Sequence, residues 1–469
     1  MCRYLKYFFF LLAGVFTIGV SAQTEIKNKV VDFSTYLPIE SASIYIKNST
    51  IGTISNTDGK FVLVIPREFQ NDTLVISSIG YKSFKTAIAD FDASEDIFLE
   101  EDIASLDEII LVAETRPKTG NDIVLRAIKK LSDNLPEQPY LQKGFLRHKE
   151  RNKKEYKWLI ESAITLYDSS YASGAGDNLK INVDENRKSF DLREVDSLYS
   201  YAVYLKYQKN NSGFSAKKLN RDTIKTASLI KAIKWNDRRV SGLENLFKGR
   251  LNLLRNSNLK QALFGEDVLN RHQFDLDTIL VDNGRKLYKI KISKSTDFIG
   301  LNTKNIYNEG YQANGWLYIY WDNYAVKKIE YELVAASEFQ KKRSKSLYGT
   351  QVNHKLIMTY MEYQDKMYPN YLYYEIPKLV NVGDRSSDIV KKDDSDTRFY
   401  YTIQEILFTE IIQDPELIDE ALQKDWSEDI FSSRPYNNEF WKNYNVLLES
   451  EEEEKLIQDL SKRASLFQQ

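Results

Sequence analysis

Cysteine is almost missing from this chain: among 469 residues there is one, Cys2, next to the first methionine. A disulfide framework, a thiolate zinc site and a cysteine nucleophile are therefore excluded for everything downstream. Histidine is nearly as scarce, with three copies, His148, His272 and His354, none near another at metal-ligand spacing. Neither H-E-x-x-H nor the H-x-x-E pair of zinc carboxypeptidases occurs, and no G-x-S-x-G elbow, P-loop or G-x-G-x-x-G is present. These absences lead us to expect no catalytic residue, no metal and no cofactor, so not an enzyme. A hydrolase using paired carboxylates stays as an alternative, because the separation of two acids cannot be read from sequence. The net charge of −2 gives no general argument for nucleic acid. After residue 20 no stretch is long and apolar enough to span a bilayer as a helix.

The first twenty-odd residues have the layout of a cleavable secretory signal. Arg3 and Lys6 precede an apolar stretch from Phe8 to Val20, and Val20-Ser21-Ala22 offers small residues before Gln23. The run is shorter than the roughly 20 residues of a spanning helix. Cleavage is expected between Ala22 and Gln23, removing Cys2 as well. Cys2 precedes the apolar core, where a lipoprotein acceptor cysteine would follow it. The expected location is therefore the periplasm or the outer membrane's surroundings.

Residues 24 to about 100 alternate short β-branched runs with turn residues. Val30-Val31-Asp32, Ala42 to Ile46, Ile51-Gly52-Thr53, Phe61 to Ile65 and Leu74 to Tyr81 read as strands of an antiparallel sandwich. Asp58-Gly59 suits a tight hairpin, since glycine accepts positive φ. The ordered pieces Pro38, Ala42-Ser43-Ile44, Gly52-Thr53, Thr57-Asp58-Gly59-Lys60-Phe61 and Ile79-Gly80-Tyr81 resemble the carboxypeptidase-regulatory-like (CarboxypepD_reg-like) family. That resemblance implies a transthyretin-like β-sandwich without catalytic residues, of the kind that precedes the plug of TonB-dependent receptors in the Bacteroidetes envelope. Leu106 to Val112 is similar to the strand that ends the module there. Within the motif, Gly52, Gly59 and Gly80 read as backbone-geometry positions, and Phe61 and Tyr81 as packing. Asp58 reads as a turn former, because one carboxylate is a poor calcium site. Residues 25–114 hold seven Lys/Arg against sixteen Asp/Glu, an excess read as a solvated linker face.

Beyond residue 115 the pattern changes. Asn121 can cap a helix whose apolar stripe is Val124, Ala127, Ile128 and Leu131, ending at Pro136. Tyr140–His148 and Tyr156–Tyr167 read as strands, and 169–186, rich in Ser, Gly, Asp and Asn, as a loop. Segment 203–271 is basic, with fifteen Lys/Arg against five acids, and partly helical, with Leu243, Leu246, Phe247, Leu251 and Leu254 at helical spacing. An ordinary solvated amphipathic face, a surface for anionic lipid or an acidic partner, and a contact with the acidic first module are the three readings of that charge. From 274 onward, long strands flank Asp282-Asn283-Gly284, Asp322-Asn323 and Gln364-Asp365-Lys366, and Arg398–Ile412 adds another. In 326–334, Lys327, Ile329, Tyr331 and Leu333 alternate with Val326, Lys328, Glu330, Glu332 and Val334. Charge on both faces argues against a transmembrane barrel. The strands at 315–334 are also similar in pattern to lipoprotein-carrier half-barrels. In the tail, Pro415–Trp426 and Glu439–Leu448 read as helices, and Ser450 with Glu453 as a capping box ahead of Leu456, Ile457 and Leu460.

Aromatics make up 13% of the chain. Trp316, Tyr318, Tyr320, Tyr371 and Tyr373 cluster on the predicted hairpins and are the candidate ligand-lining residues. The expected architecture is mainly β with α: signal 1–22, sandwich 23–115, an α+β domain with a large curved antiparallel sheet 116–414, and C-terminal helices 415–469. The expected role is non-catalytic: an exported adaptor plus binding domain for an outer-membrane or periplasmic protein, or for a lipid or glycan. The alternative is a lipid or lipoprotein carrier using a concave sheet.

Overall fold

The structure, a computed structural model, describes residues 24–102, 117, 119–151, 156–171, 178–190, 198–208, 219–248, 254, 272–295, 311–348, 350–379, 399–432 and 434–463. The proposed signal and the 106–112 strand lie outside these residues.

The first module is a sandwich of two sheets. Strand β1 (Thr24–Asp32) lies between β4 (Lys60–Ile65), antiparallel, and β7 (Ile97–Leu99), parallel. The second sheet has the order β3 (Gly52–Ile54), β2 (Ser43–Ile46), β5 (Thr73–Ser77), β6 (Phe84–Ala87). Alternate residues such as Ile44, Ile46, Phe61, Leu63, Leu74 and Ile76 are at most 1% exposed and fill the space between the sheets. The expected Asp58-Gly59 hairpin is corrected in one respect. Gly59 does turn at φ +76°, with its N–H donating to Asn56 O, but β3 and β4 belong to different sheets, so the turn carries the chain across the sandwich. A tight turn dictates local reversal, while strand pairing depends on which faces must be buried.

The rest of the chain is built on ten antiparallel strands in the order β10 (Leu179–Phe190), β9 (Tyr156–Asp168), β8 (Tyr140–Arg151), β17 (Phe399–Ile412), β16 (Lys366–Leu379), β15 (His354–Tyr363), β14 (Val326–Ala335), β13 (Tyr311–Tyr320), β12 (Arg285–Ser295) and β11 (His272–Asp282). Among the described residues the sheet ends at β10 and β11 and does not close into a barrel. Asn283-Gly284 and Gln364-Asp365 turn with positive φ at both positions, as two-residue hairpins require. The 169–186 loop is corrected: Leu179, Ile181 and Val183 are buried against β9 in β10, and a bulge at Asp184 absorbs the irregular spacing.

Each face of this sheet has its own cover. On one face, register partners Ile290, Leu317, Ile329, Met358, Leu372, Ile406 and Leu146 form an apolar row across seven strands. This helix face packs against α1 (Gly120–Lys129), α2 (Leu131–Asn134), α4 (Thr226–Ser241) and α5 (Leu243–Lys248), with Phe431 from the tail; α3 (Leu198–Gln208) packs on α4. Thr119, rather than Asn121, caps α1 by accepting from Asp122 N at 3.1 Å; the Asn121 amide oxygen instead accepts from Phe274 N in β11. Beyond β14, α6 (Glu338–Tyr348) leads into β15.

The opposite face is covered by the sandwich and by a C-terminal arm. After α7 (Pro415–Leu422) and the Phe431 segment on the helix face, this arm consists of α8 (Asn438–Lys442) and α9 (Glu451–Arg463); α8 is shorter than the predicted Glu439–Leu448 helix. Ile54 of the sandwich meets Phe145, Ala163, Tyr371 and Leu407 of the sheet, and Trp441 and Leu447 of the arm, in one cluster. Polar bonds fix the seam. Gly80 N donates to Val281 O at 2.7 Å, Ile411 N to Thr50 Oγ1 at 3.0 Å, and Val64 N to Asn445 Oδ1 at 2.7 Å. Asn445 thus occupies backbone of β4 on its edge side, where an open strand would otherwise invite pairing.

Candidate functional site

Where the sandwich meets the large sheet, packing is incomplete. Two register rows face each other there. From the sandwich come Ser77, Ser43 and Ile54, partners across β5, β2 and β3. From the sheet come Lys289, Tyr318, Lys328, Thr359 and Tyr371, partners across β12 to β16. Between them lies a cavity of about 250 Å³, completed by Glu40, Ser41, Ser78, Ile79, Leu280, Asp282 and Lys327.

Lys327 enters by a bulge. Strict alternation would set it on the side of Ile329, but the register shifts where Tyr318 pairs Lys328 and Ile319 pairs Val326. Adjacent lysines therefore both reach the cavity. Their ties differ: Lys328 Nζ lies 2.6 Å from Glu330, whereas Lys327 is 3.6 Å from Asp282 and Lys289 is 3.7 Å from Asp277. Asp282 is held more firmly by the Tyr320 hydroxyl, which donates to it at 2.7 Å. Burial, with the Glu330 carboxylate beside it, raises the Tyr318 hydroxyl well above its ordinary pKa. Burial and Glu405 do the same for Tyr371, so both phenols remain protonated hydrogen-bond donors at neutral pH. The lining has ammonium groups, hydroxyls and two carboxylates, and neither histidine nor cysteine is among them. Such a lining can hold a polar ligand; it offers no nucleophile paired with an imidazole base.

One step further along the same face is a buried ionic knot. The row Tyr373, Glu405, Arg147, Glu161 and Arg187 crosses β16 to β10, and Lys149 lies on the next row. Arg147 Nε bonds Glu161 at 2.9 Å, and Arg187 bonds it at 2.6 Å. Lys149 reaches Glu453 at 2.7 Å and Glu405 at 2.8 Å. Glu449 and Glu453, from the arm and α9, close over these cations. Burial beside Glu453 pushes Glu449 up, while Lys149 and its bond with Glu449 hold Glu453 well below the usual carboxylate range. This knot fastens the arm to the sheet.

The histidines are all packed. His148 Nε2 lies 3.1 Å from Asp237 of α4, with both side chains at most 2% exposed. His272 Nε2 is 3.2 Å from the Tyr331 hydroxyl. His354 sits edge-on to Tyr311, and burial lowers its pKa to about 4. Among the described residues, no group of three or more His, Cys, Asp or Glu is arranged to hold a metal.

Of the five aromatics singled out in the sequence, Tyr318 and Tyr371 line the cavity. Trp316 lies beneath Lys289, whose ammonium is 4.1 Å from its ring centroid. Tyr320 is buried on Asp282, and Tyr373 donates to Glu375 beside the knot. The apolar partners on the strands 316–334 and 352–376, Leu317, Ile329, Met358 and Leu372, are at most 1% exposed within the helix-face core. Among the motif residues, Ala42, Thr53 and Phe61 are buried, and Pro38 bridges to Val31. Gly52 lies where a Cβ would meet Ile44 O at 2.8 Å, and Gly80 bonds β11. Tyr81 donates to Asp32 at 2.8 Å, and Asp58 Oδ2 accepts from Glu451 N at the start of α9. Sequence reasoning missed the cavity lysines and serines and the whole knot. The available signal was charge inside otherwise apolar strands, as in Arg147-His148-Lys149-Glu150.

Residues 26–111 match the CarboxypepD_reg-like domain family, and the first module is a domain of that kind. Over 117 residues, a quarter of this chain, the sequence is 32% identical to the TonB-dependent receptor SusC of Bacteroides thetaiotaomicron. The match covers 11% of that receptor, so this chain spans about a tenth of its relative's length. Among solved structures, an outer-membrane lipoprotein-sorting protein domain from Vibrio parahaemolyticus is similar over 64% of this chain and 98% of its own, with 9% identity and a TM-score of 0.22. A LolA superfamily protein from Nitrosomonas europaea is similar over 68% and 99%, with 8% identity and a TM-score of 0.22. No described helix is long and apolar enough to cross a membrane.

Proposed function

We propose that this chain is a non-catalytic binding protein of the cell envelope, in which the sandwich and the large sheet hold a small acidic, hydroxylated ligand between them. The observation that carries this reading is the cavity of about 250 Å³ between the two facing rows, with Lys289 and Lys327 held by their own carboxylates only at 3.6–3.7 Å. A carboxylate or phosphate arriving there gains charge-assisted bonds that the resting ion pairs do not satisfy. The space equals that of about eight waters, so it suits a ligand on the order of ten heavy atoms. The hydroxyls of Ser41, Ser43, Ser77, Ser78 and Thr359 supply acceptors and donors for a ligand rich in hydroxyl groups. The envelope setting is supported by the CarboxypepD_reg-like match, the receptor relative and the signal-like start with Ala22 before Gln23. The outer-membrane or periplasmic partner is part of the same proposal, with the sandwich as the adaptor.

The test is calorimetric titration with a hexuronic acid, a sugar phosphate and a tricarboxylate, each against an uncharged counterpart, alongside native mass spectrometry of protein taken gently from its envelope. At least one acid should bind, and Lys289→Met with Lys327→Met should weaken it by about ten-fold or more. Equal binding of charged and uncharged forms, a stoichiometric lipid in their place, or indifference to the double substitution would each overturn the reading.

A further inference from the structure

A second surface, remote in sequence from the cavity strands, carries an excess of basic side chains. Helices α3 and α4 contain five basic residues, Lys206, Lys231, Lys234, Arg238 and Arg239, against one acid, Asp237. That acid is 3% exposed and turned inward to His148, so none of the acidic side chains of this helix pair faces outward. The inward stripe of α4 is Leu229, Ala232, Ile233, Asn236 and Asp237, the i, i+3, i+4 spacing of one helical face. Outside it, Lys206 and Lys231 are exposed, and the Arg238 side chain, 59% exposed, pairs with Glu428 of the tail at 3.1 Å.

Aromatic rings accompany these charges. Tyr204 and Tyr207 of α3 rest on Trp235 of α4, with ring centroids 5.4 and 5.1 Å away. The Arg239 guanidinium lies 5.5 Å from the same indole. Tyr207 is nevertheless 67% exposed, so the stack continues the outer surface rather than closing a core. Solvation alone accounts for lysines on a helix, but gives no reason for a half-buried tyrosine–tryptophan stack that ends in an exposed Tyr207 among them. Amphipathic rings beside Lys and Arg, with no outward acid on the two helices themselves, have the chemistry of a bilayer interface: rings at the headgroup level, cations on lipid phosphates.

We propose that the outer face of α3 and α4 docks on an anionic lipid surface, orienting the protein on a membrane it does not span. This stands independently of what the seam cavity holds. The test is sedimentation of the full chain with vesicles of phosphatidylcholine alone and of phosphatidylcholine mixed with phosphatidylglycerol. The protein should pellet with the mixed vesicles, less so as salt is raised. Lys206→Glu with Lys231→Glu should weaken that binding by about ten-fold or more, and Lys206→Arg with Lys231→Arg should retain it. Tyr207→Ala should weaken it several-fold with the charge unchanged. Because these side chains lie outside the core, unchanged melting of each variant separates lost docking from lost folding. Equal partition to both vesicle types, or indifference to the charge reversal, would overturn the proposal. So would binding to polyglutamate that ignores Tyr207→Ala in a protein that does not pellet with vesicles; that result would assign the face to an acidic protein.

Discussion

Replacing Lys149 with methionine tests whether the ionic knot holds the C-terminal arm. The lysine side chain is 3% exposed and lies 2.7 Å from Glu453, 2.8 Å from Glu405 and 3.8 Å from Glu449. Methionine keeps the approximate length of the stem and removes the charge, leaving three acids clustered around an apolar side chain. Removing one partner of a buried ion pair costs about 3–5 kcal/mol, because the remaining charge stays desolvated and uncompensated. At a urea dependence of about 3 kcal/mol per molar, the unfolding midpoint should fall by about 1–1.7 M. The arm should also become the first site of limited proteolysis, since α9 is fastened by Glu449 and Glu453. Glu453 is held below the ordinary carboxylate value of 4.5 by Lys149, so its contribution is present above pH 4.5 and is lost as pH falls through the lower folded-state value. The gap between wild type and variant should therefore narrow only in acid. Adding Glu453→Gln to Lys149→Met should cost less than the two single changes summed, with a coupling of about 1–3 kcal/mol. A single variant within about 1 kcal/mol of wild type, or strict additivity in the cycle, would refute the reasoning.

His354 makes the protein acid-sensitive in a definite window. Its folded-state pKa is lowered to about 4 from 6.5 by burial, so the unfolded chain takes up the proton first, and stability present above pH 6.5 drains as pH falls toward 4. His354→Phe should recover about 2–3 kcal/mol of that acid loss in denaturation curves at pH 7 and 4.5; parallel losses in both proteins would show the effect lies elsewhere. Gly59→Ala should destabilise far more than Gly284→Ala, although both glycines have positive φ. A Cβ at 59 would lie 2.4 Å from Val30 O, whereas none of the surrounding atoms lies within 4 Å at 284, where only the left-handed cost of about 1–2 kcal/mol applies. Equal melting shifts would contradict the close approach.

The large-sheet hairpins were legible because their turns announce themselves locally. Asn283-Gly284 and Gln364-Asp365 need positive φ, and the alternation on either side carries the pleat. Strand β10 was not legible: Lys180, Asn182 and Asp184 look like loop chemistry, and only pairing with β9, with a bulge at Asp184, turns Leu179, Ile181 and Val183 into one buried face. Lys327 was misplaced for the same reason, since a single register shift reverses which face a side chain takes. The cavity escaped because its two walls, Ser43 with Ser77 and Lys289 with Lys328, are more than 200 residues apart in the chain.

Sequence by itself determined the absence of thiol chemistry downstream of Cys2, the sandwich motif from Pro38 to Tyr81, the long hairpins and the basic bias of α3 and α4. Each of these depends on composition or on neighbours within a few residues, and such information is complete in a linear string. Tertiary structure alone decided that the sandwich docks on the sheet face opposite the helices, and that Asp58 meets the start of α9. It also decided that Arg147, Lys149 and Glu161 are buried together beneath the arm. Those outcomes depend on which desolvated charges find partners and which apolar faces find covers. Long-range packing answers that, because the net cost of a buried charge is set by the groups folded against it.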